Sequence, residues 1–223
     1  MSQKLLFLHG YTQSGSSFAK KSAGLRKGLE KVGFTTHFPT APVPLLIPED
    51  APEEEKLRMQ SLGYKEQDSF AWFVKNDSTG AYDGLDKSWV VLKDYITKEG
   101  PFVGVVGFSQ GSLMAALLIS QIQTLVPSHP QFAFAILFSG FRPEVPEFDP
   151  AISDYKISIP TLQITGEKDV IVPPEKSKSL VEASVNPTFF QHAGGHFVPS
   201  NRETVTVVKE WITNVLEPPE AHL

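Results

Sequence analysis

With 223 residues, 41% hydrophobic and 20% charged, the chain has the length of one large domain and a globular composition, which excludes a disordered tract or a repeat array. A formal net charge of −5, with 20 lysines and arginines spread along the chain, argues against nucleic acid or an anionic membrane surface as the main partner. The absence of cysteine excludes a disulfide framework, a thiolate zinc site and a thiol nucleophile, and it suits a cytoplasmic setting.

The first apolar run, Leu5 to Leu8, is too short for a signal-peptide core and reads as a strand buried on both faces. It ends in a small polar loop, His9 to Gly15, and a helix follows from about Ser16 to Val32. Thr35 to Phe38 reads as a second strand, closed by Pro39 and Pro42. From Pro42 to about Tyr64 the periodicity fails, apart from a short helix near Glu53 to Ser61; a stretch this long is a lid-like loop or a surface insertion. Ala71-Trp72-Phe73 follows, two adjacent aromatics that either line a pocket or anchor the core. Leu85, Trp89, Leu92 and Ile96 lie at helical spacing within Gly84 to Glu99, and Gly100-Pro101 ends that helix.

Phe102 to Val106 is a buried strand, and it passes through Gly107-Phe108-Ser109-Gln110-Gly111 into a helix from Ser112 to about Val126. Phe132 to Phe138 is the longest apolar run, about a third of what a membrane span requires, and reads as another buried strand ending in Ser139-Gly140-Phe141. Residues 142 to 160, rich in proline and acidic groups, form a second loop excursion. A strand at Thr161 to Thr165 leads to Gly166-Glu167-Lys168-Asp169, and Pro173-Pro174 opens a helix to about Ser184. The last strand, Thr188 to His192, ends in Ala193-Gly194-Gly195-His196, and a final helix runs from about Arg202 to Leu216. The tail, 217 to 223, has nothing to pack against and is expected to be mobile. Six strands alternating with helices predict an α/β domain over residues 1–216: a mainly parallel six-stranded sheet with helices on both faces.

The Gly-x-Ser-x-Gly stretch between a strand and a helix is where chemistry is expected. A turn this tight leaves no room for side chains at Gly107 or Gly111, and strain at the serine points its hydroxyl outward. The motif is short enough to arise by chance, so its weight comes from partners. Asp169 and His196 follow at the ends of later strands, and the chain order Ser, Asp, His is that of the α/β-hydrolase fold. Ser109 is the expected nucleophile, His196 the general base and Asp169 the acid that orients the imidazole. Glu167 is a nearby alternative acid. His192 is the alternative base, but it lies within its strand, whereas His196 sits on a Gly-Gly hinge. Ser139 lacks the flanking small residues and following helix of a nucleophile, and His9 precedes Ser109 in the chain, so its expected work is to shape the loop.

Donors for a developing oxyanion are expected from the backbone N–H groups of Gln110, at a helix N-terminus, and Tyr11. Leu45, Leu46 and Ile47, Trp72 and Phe73, Phe141, and Phe197 with Val198 are the pocket candidates, each of which is as easily core. An apolar lining favours an ester or thioester with an apolar acyl group. No H-E-x-x-H or other ligand cluster is present, so neither metal nor cofactor is expected.

Leu8-His-Gly-Tyr-Thr-Gln-Ser-Gly15, Ala71-Trp-Phe73, Gly100 to Gly111, His129-Pro-Gln-Phe132, Ser139-Gly-Phe141 and Gly194-Gly-His-Phe-Val-Pro199, in this order, resemble the eukaryotic, largely fungal "family of serine hydrolases" nearly end to end. The resemblance implies a single α/β-hydrolase domain with esterase or thioesterase activity and a cytoplasmic or nuclear location. It carries the nucleophile, acid and base roles onto Ser109, Asp169 and His196. The family commonly has an aspartate where this chain has Val103. An acyl transferase, or a protein that uses the fold only to bind a ligand, would carry the same elements.

Overall fold

In the computed structural model, residues 2–76, 78–142 and 156–217 are described. Six strands form one parallel sheet: β1 (Gln3–Leu8), β2 (Phe34–His37), β7 (Gly104–Phe108), β8 (Phe134–Phe138), β9 (Thr161–Gly166) and β10 (Pro187–His192). Their spatial order is β10-β9-β8-β7-β1-β2, and every neighbouring pair is parallel. Side chains alternate across the sheet as a period of two requires. Leu6, Leu8, Val105, Ala135 and Leu137 join one buried cluster, while Leu5, Phe7, Val106, Phe134, Ile136 and Phe138 join another on the opposite face.

Helices cover both faces. Leu92 and Ile96 of α4 (Leu85–Glu99), Leu113 to Ile119 of α5 (Gln110–Leu125) and Leu180 of α6 (Pro174–Glu182) pack into the first cluster. Phe18 of α1 (Gly15–Lys21), Leu25 and Leu29 of α2 (Ala23–Glu30), and Val208 and Ile212 of α7 (Arg202–Leu216) pack into the second. α5 has apolar residues all round because it is the most deeply buried helix.

The helix expected over Ser16 to Val32 is two helices. Ser22 sits between them with its Oγ 2.7 Å from the carbonyl of Phe18, and this side-chain bond competes with regular helix continuation. The strand expected at Phe102 to Val106 instead runs from Gly104 to Phe108; the Phe102 amide is taken by His129 Nε2, outside the ladder. Segment 42–64 is more regular than its sequence suggests. β3 (Val43–Pro44) pairs antiparallel with β4 (Phe70–Ala71), and α3 (Glu53–Ser61) packs through Met59 against Leu45 and Ala71. A second antiparallel ribbon joins β5 (Val74–Lys75) to β6 (Tyr82–Asp83). Most of the second excursion expected at 142–160, and the tail beyond residue 217, lie outside the described residues.

The strand order places a switch point between β1 and β7: the chain proceeds from β1 outward to β2, then restarts on the other side of β1. Loops leaving these two strands diverge and open a crevice at their carboxyl ends, the place where parallel sheets bind ligands.

Candidate active site

Ser109 follows β7 directly, with φ 53° and ψ −117°. This backbone is held by bonds on both sides: its N–H donates to the Phe138 carbonyl at 2.9 Å, and its carbonyl accepts from the amides of Ser112 and Leu113. The flanking glycines are there for contact reasons. A Cβ on Gly107 would lie 2.5 Å from the Gly111 carbonyl oxygen, and one on Gly111 would lie 2.0 Å from the Leu8 carbonyl oxygen, so either would push α5 off the sheet. Among the described residues three non-glycines have positive φ: Thr12, Ser109 and Ser139, in the loops that leave β1, β7 and β8. Strained backbone of this kind is held in place only where surrounding contacts over-determine it.

Ser109 Oγ lies 3.0 Å from Nε2 of His196, and Nδ1 of His196 lies 2.8 Å from Oδ2 of Asp169. The loops bearing the last two residues are stapled together. Glu167 N–H donates to the His192 carbonyl and Lys168 N–H to the Gly194 carbonyl, and Gly166 lies so close to Gly194 and Gly195 that it has no room for a side chain. The His196 ring rests on Phe108, with centroids 4.8 Å apart.

Asp169 is almost fully buried, whereas Glu167 is exposed. Burial alone would raise the Asp169 carboxyl. It is outweighed by hydrogen bonds from His196, the Val172 amide and Ser139 and by the charge of His196, so the group is held below the usual carboxylate range. Oδ1 accepts from the amides of Ile171 at 3.0 Å and Val172 at 2.8 Å, and Oδ2 accepts from the Ser139 hydroxyl at 2.7 Å as well as facing His196.

His9 hydrogen-bonds its own loop. The Ala41 N–H donates to Nε2 at 2.9 Å, so the ring proton is on Nδ1 and donates to the Gly10 carbonyl at 2.8 Å. Burial pushes its pKa down to about 4, against smaller opposing effects of the Gly10 bond and Asp68, which keeps the ring neutral. His192 Nδ1 accepts from the Gly194 N–H, and burial lowers its pKa against the raising effect of Asp169. Trp72 is fully buried, its ring tilted against that of His9 with centroids 5.2 Å apart, and its indole N–H donates to the His9 carbonyl. The Gln110 side chain clamps the same turn, accepting from the Trp72 N–H and donating to the Phe73 carbonyl.

The backbone N–H groups of Tyr11 and Gln110 have no acceptor among the described residues, and both residues line a cavity of about 600 Å³ that also contains Ser109 and His196. Phe73 and Phe141 line it too. Leu45, Leu46, Trp72 and Phe197 do not. Leu45 is packed under α3 with Met59; Leu46 points into solvent at 75% exposure; Trp72 is a core anchor; and half-exposed Phe197 lies against His192. Ile47 belongs to the cluster under α3 and Val198 to the core beneath α7. Among the described residues no three His, Asp or Glu side chains converge as metal ligands would, and no helix is long and apolar enough to cross a membrane.

Residues 1–208 match the family model described as Serine hydrolase (FSH1). The chain belongs to the serine hydrolase family. A protein named Family of serine hydrolases 2 in Saccharomyces cerevisiae is 34% identical over 220 residues, covering 95% of this chain and 98% of its own. Esterase OVCA2 of Danio rerio is 35% identical over 216 residues, covering 90% and 93%. A Schizosaccharomyces pombe protein named dihydrofolate reductase is 38% identical over 218 residues, and this chain spans 94% of itself but only 46% of that longer protein. In fold, the serine hydrolase superposes on an acyl-protein thioesterase of Zea mays with a TM-score of 0.62 and 20% identity, over 96% and 94% of the two chains. Esterase-named relatives of nearly equal length, together with the family model, make it an ester-hydrolysing enzyme.

The sequence reading missed two features of the serine hydrolase's candidate site. Ser139, considered only as a nucleophile, donates to Asp169 instead; its position at a strand end beside the elbow was the available signal. Lys21, Arg58, Lys75 and Lys176 line the cavity from four separate segments, and no local pattern in the chain links them.

Proposed function

We propose that the enzyme cleaves a carboxylic ester or thioester through an acyl-enzyme formed on Ser109. The observation that carries this reading is the continuous line Ser109 Oγ, His196, Asp169, at 3.0 and 2.8 Å. As Oγ attacks the substrate carbonyl, His196 Nε2 takes its proton, and the resulting imidazolium is stabilised by the Asp169 carboxylate. The carbonyl electron pair moves onto oxygen, where the amides of Gln110 and Tyr11 are the proposed donors, the former at the start of α5 with its helix dipole behind it. When the tetrahedral species collapses, His196 returns the proton to the leaving alcohol or thiol. Water then attacks the acyl group while His196 takes its proton, and collapse of the second tetrahedral species breaks the bond to Ser109 Oγ, which receives that proton from His196, releasing the acid and restoring the hydroxyl.

A fluorophosphonate probe tests this directly: wild-type protein is labelled and Ser109→Ala is not. Absence of labelling in the wild type rejects the acyl-enzyme. A phosphonate adduct whose oxygen lies away from both amides rejects the proposed oxyanion donors while leaving the nucleophile in place.

A further inference from the structure

The lining of the catalytic cavity is electrostatically one-sided. It includes four cationic side chains, Lys21, Arg58, Lys75 and Lys176, and among the described residues no aspartate or glutamate, although the chain as a whole has 25 acids against 20 bases. The three on which the argument rests come from α1, α3 and α6, and none makes an ion pair among the described residues. Lys176 stands over the Phe141 ring, 4.5 Å from its centroid, and both line the cavity. Arg58 and Lys21 line it by the end of α3, where the Lys21 ammonium approaches Gly63.

The end of α3 would offset these charges if its carbonyls were open, but most of them are occupied. The carbonyls of Arg58, Met59 and Gln60 accept from the amides of Leu62, Tyr64 and Gly63, and the Leu62 carbonyl accepts from the Thr12 hydroxyl. Glu55, whose charge acts on Tyr11, and Asp68, whose charge acts on Lys21, are not part of the lining. Burial first, and then the charge of Lys65, lower the pKa of Lys21 against the weaker raising effect of Asp68. The same lining includes the apolar side chains Phe73, Val74 and Leu113.

We propose that the substrate carries an anionic group, a carboxylate or a phosphate, set apart from the scissile carbonyl by an apolar segment and held by Lys21, Arg58 and Lys176. The proposal rests on Ser109 being the nucleophile, and the charge on the substrate then decides which esters reach it. Elements that are distant in sequence meet at this cavity, and the side chains they supply share one sign. That is the arrangement that raises the local concentration of an oppositely charged ligand.

Two matched pairs of substrates test it and separate the two sources of charge. p-Nitrophenyl hydrogen adipate is compared with p-nitrophenyl hexanoate for a carboxylate on the acyl side. Hexanoyl coenzyme A is compared with hexanoyl N-acetylcysteamine for phosphate on the leaving group. The expected result is a kcat/KM ratio of at least about fivefold in favour of the anionic member of one pair, falling as ionic strength is raised from about 0.05 to 0.5 M. Each of Lys21→Gln, Arg58→Gln and Lys176→Gln lowers that ratio about twofold to fivefold, the range of an exposed ion pair, and the triple variant brings it close to one. Using the ratio cancels any loss common to both substrates. Lys98→Gln, on a helix that does not line the cavity, leaves the ratio unchanged. Turnover of neutral esters with no anionic preference in either pair, or a preference that survives the triple variant, overturns the proposal. Failure of the fluorophosphonate to label Ser109 would instead overturn the reading on which it rests.

Discussion

Asp169→Asn probes the catalytic line with little change in shape, because the surrounding donors dictate how an amide must sit. Oδ1 receives two backbone N–H groups, from Ile171 at 3.0 Å and Val172 at 2.8 Å, and a backbone donor cannot become an acceptor. The asparagine oxygen must therefore occupy that side, and its NH2 group takes the place of Oδ2, 2.8 Å from His196 Nδ1 and 2.7 Å from Ser139 Oγ. From there the amide donates to His196 Nδ1 and to the Ser139 hydroxyl. His196 then carries its proton on Nε2, facing Ser109, and has no lone pair with which to accept the serine proton. A misassigned tautomer of this kind lowers kcat by about 10⁴-fold in serine hydrolysis, equivalent to about 5 kcal/mol of barrier. The two backbone amides and His196 keep partners and only the Ser139 O–H loses its acceptor, so thermal unfolding is expected to remain within a few degrees of wild type. The assay is steady-state hydrolysis of a p-nitrophenyl ester alongside a melting curve. A folded Asp169→Asn protein with kcat within tenfold of wild type would refute the tautomer argument and the assignment of Asp169 with it.

Three further outcomes are predicted. His196→Ala should lose about 10³-fold or more in kcat while His192→Ala, whose Nδ1 serves only the Gly194 amide, keeps most of it; the opposite ranking in the same ester assay would identify the wrong base. His9 is held neutral down to about pH 4, whereas an unfolded histidine protonates near 6.5, so proton uptake by the unfolded chain withdraws stability as pH falls through this window. Its share is about 2.5 kcal/mol by pH 4.5, and urea unfolding should show the pH 7 to 4.5 loss to be smaller by that amount in His9→Gln; equal losses in the two proteins would contradict it. Gln110→Met keeps the volume but leaves the Trp72 N–H and Phe73 carbonyl without their partners, which should cost about 2–4 kcal/mol and lower the melting temperature by several degrees; an unchanged midpoint would show that the clamp is not needed.

Much of the site was legible in the chain because its constraints are local. The elbow requires glycines where Gly107 and Gly111 stand, since close packing there admits no Cβ, and a strand and a helix must flank it for the turn to form. The central strands are buried and read as apolar runs, such as Leu5 to Leu8 and Phe134 to Phe138, and the partly buried edge strands read from short β-branched and aromatic runs between turn signals, so all six strands of the sheet and the chain order Ser109, Asp169, His196 could be read from the sequence. The pocket could not. A large apolar residue looks the same in sequence whether it faces a cavity or a core, and only packing distinguished Phe73, on the lining, from Trp72, buried against His9 with its N–H satisfied. Nor does any local pattern reveal that Ser139 would turn to Asp169, or that Lys21, Arg58 and Lys176, up to 155 positions apart, would share a wall. The sequence determined the proposed nucleophilic serine and the acid and base proposed to serve it, whose geometry comes from strand ends and tight turns. Tertiary structure alone decided the charge and shape of the space around that serine, because these depend on which distant side chains the sheet brings together.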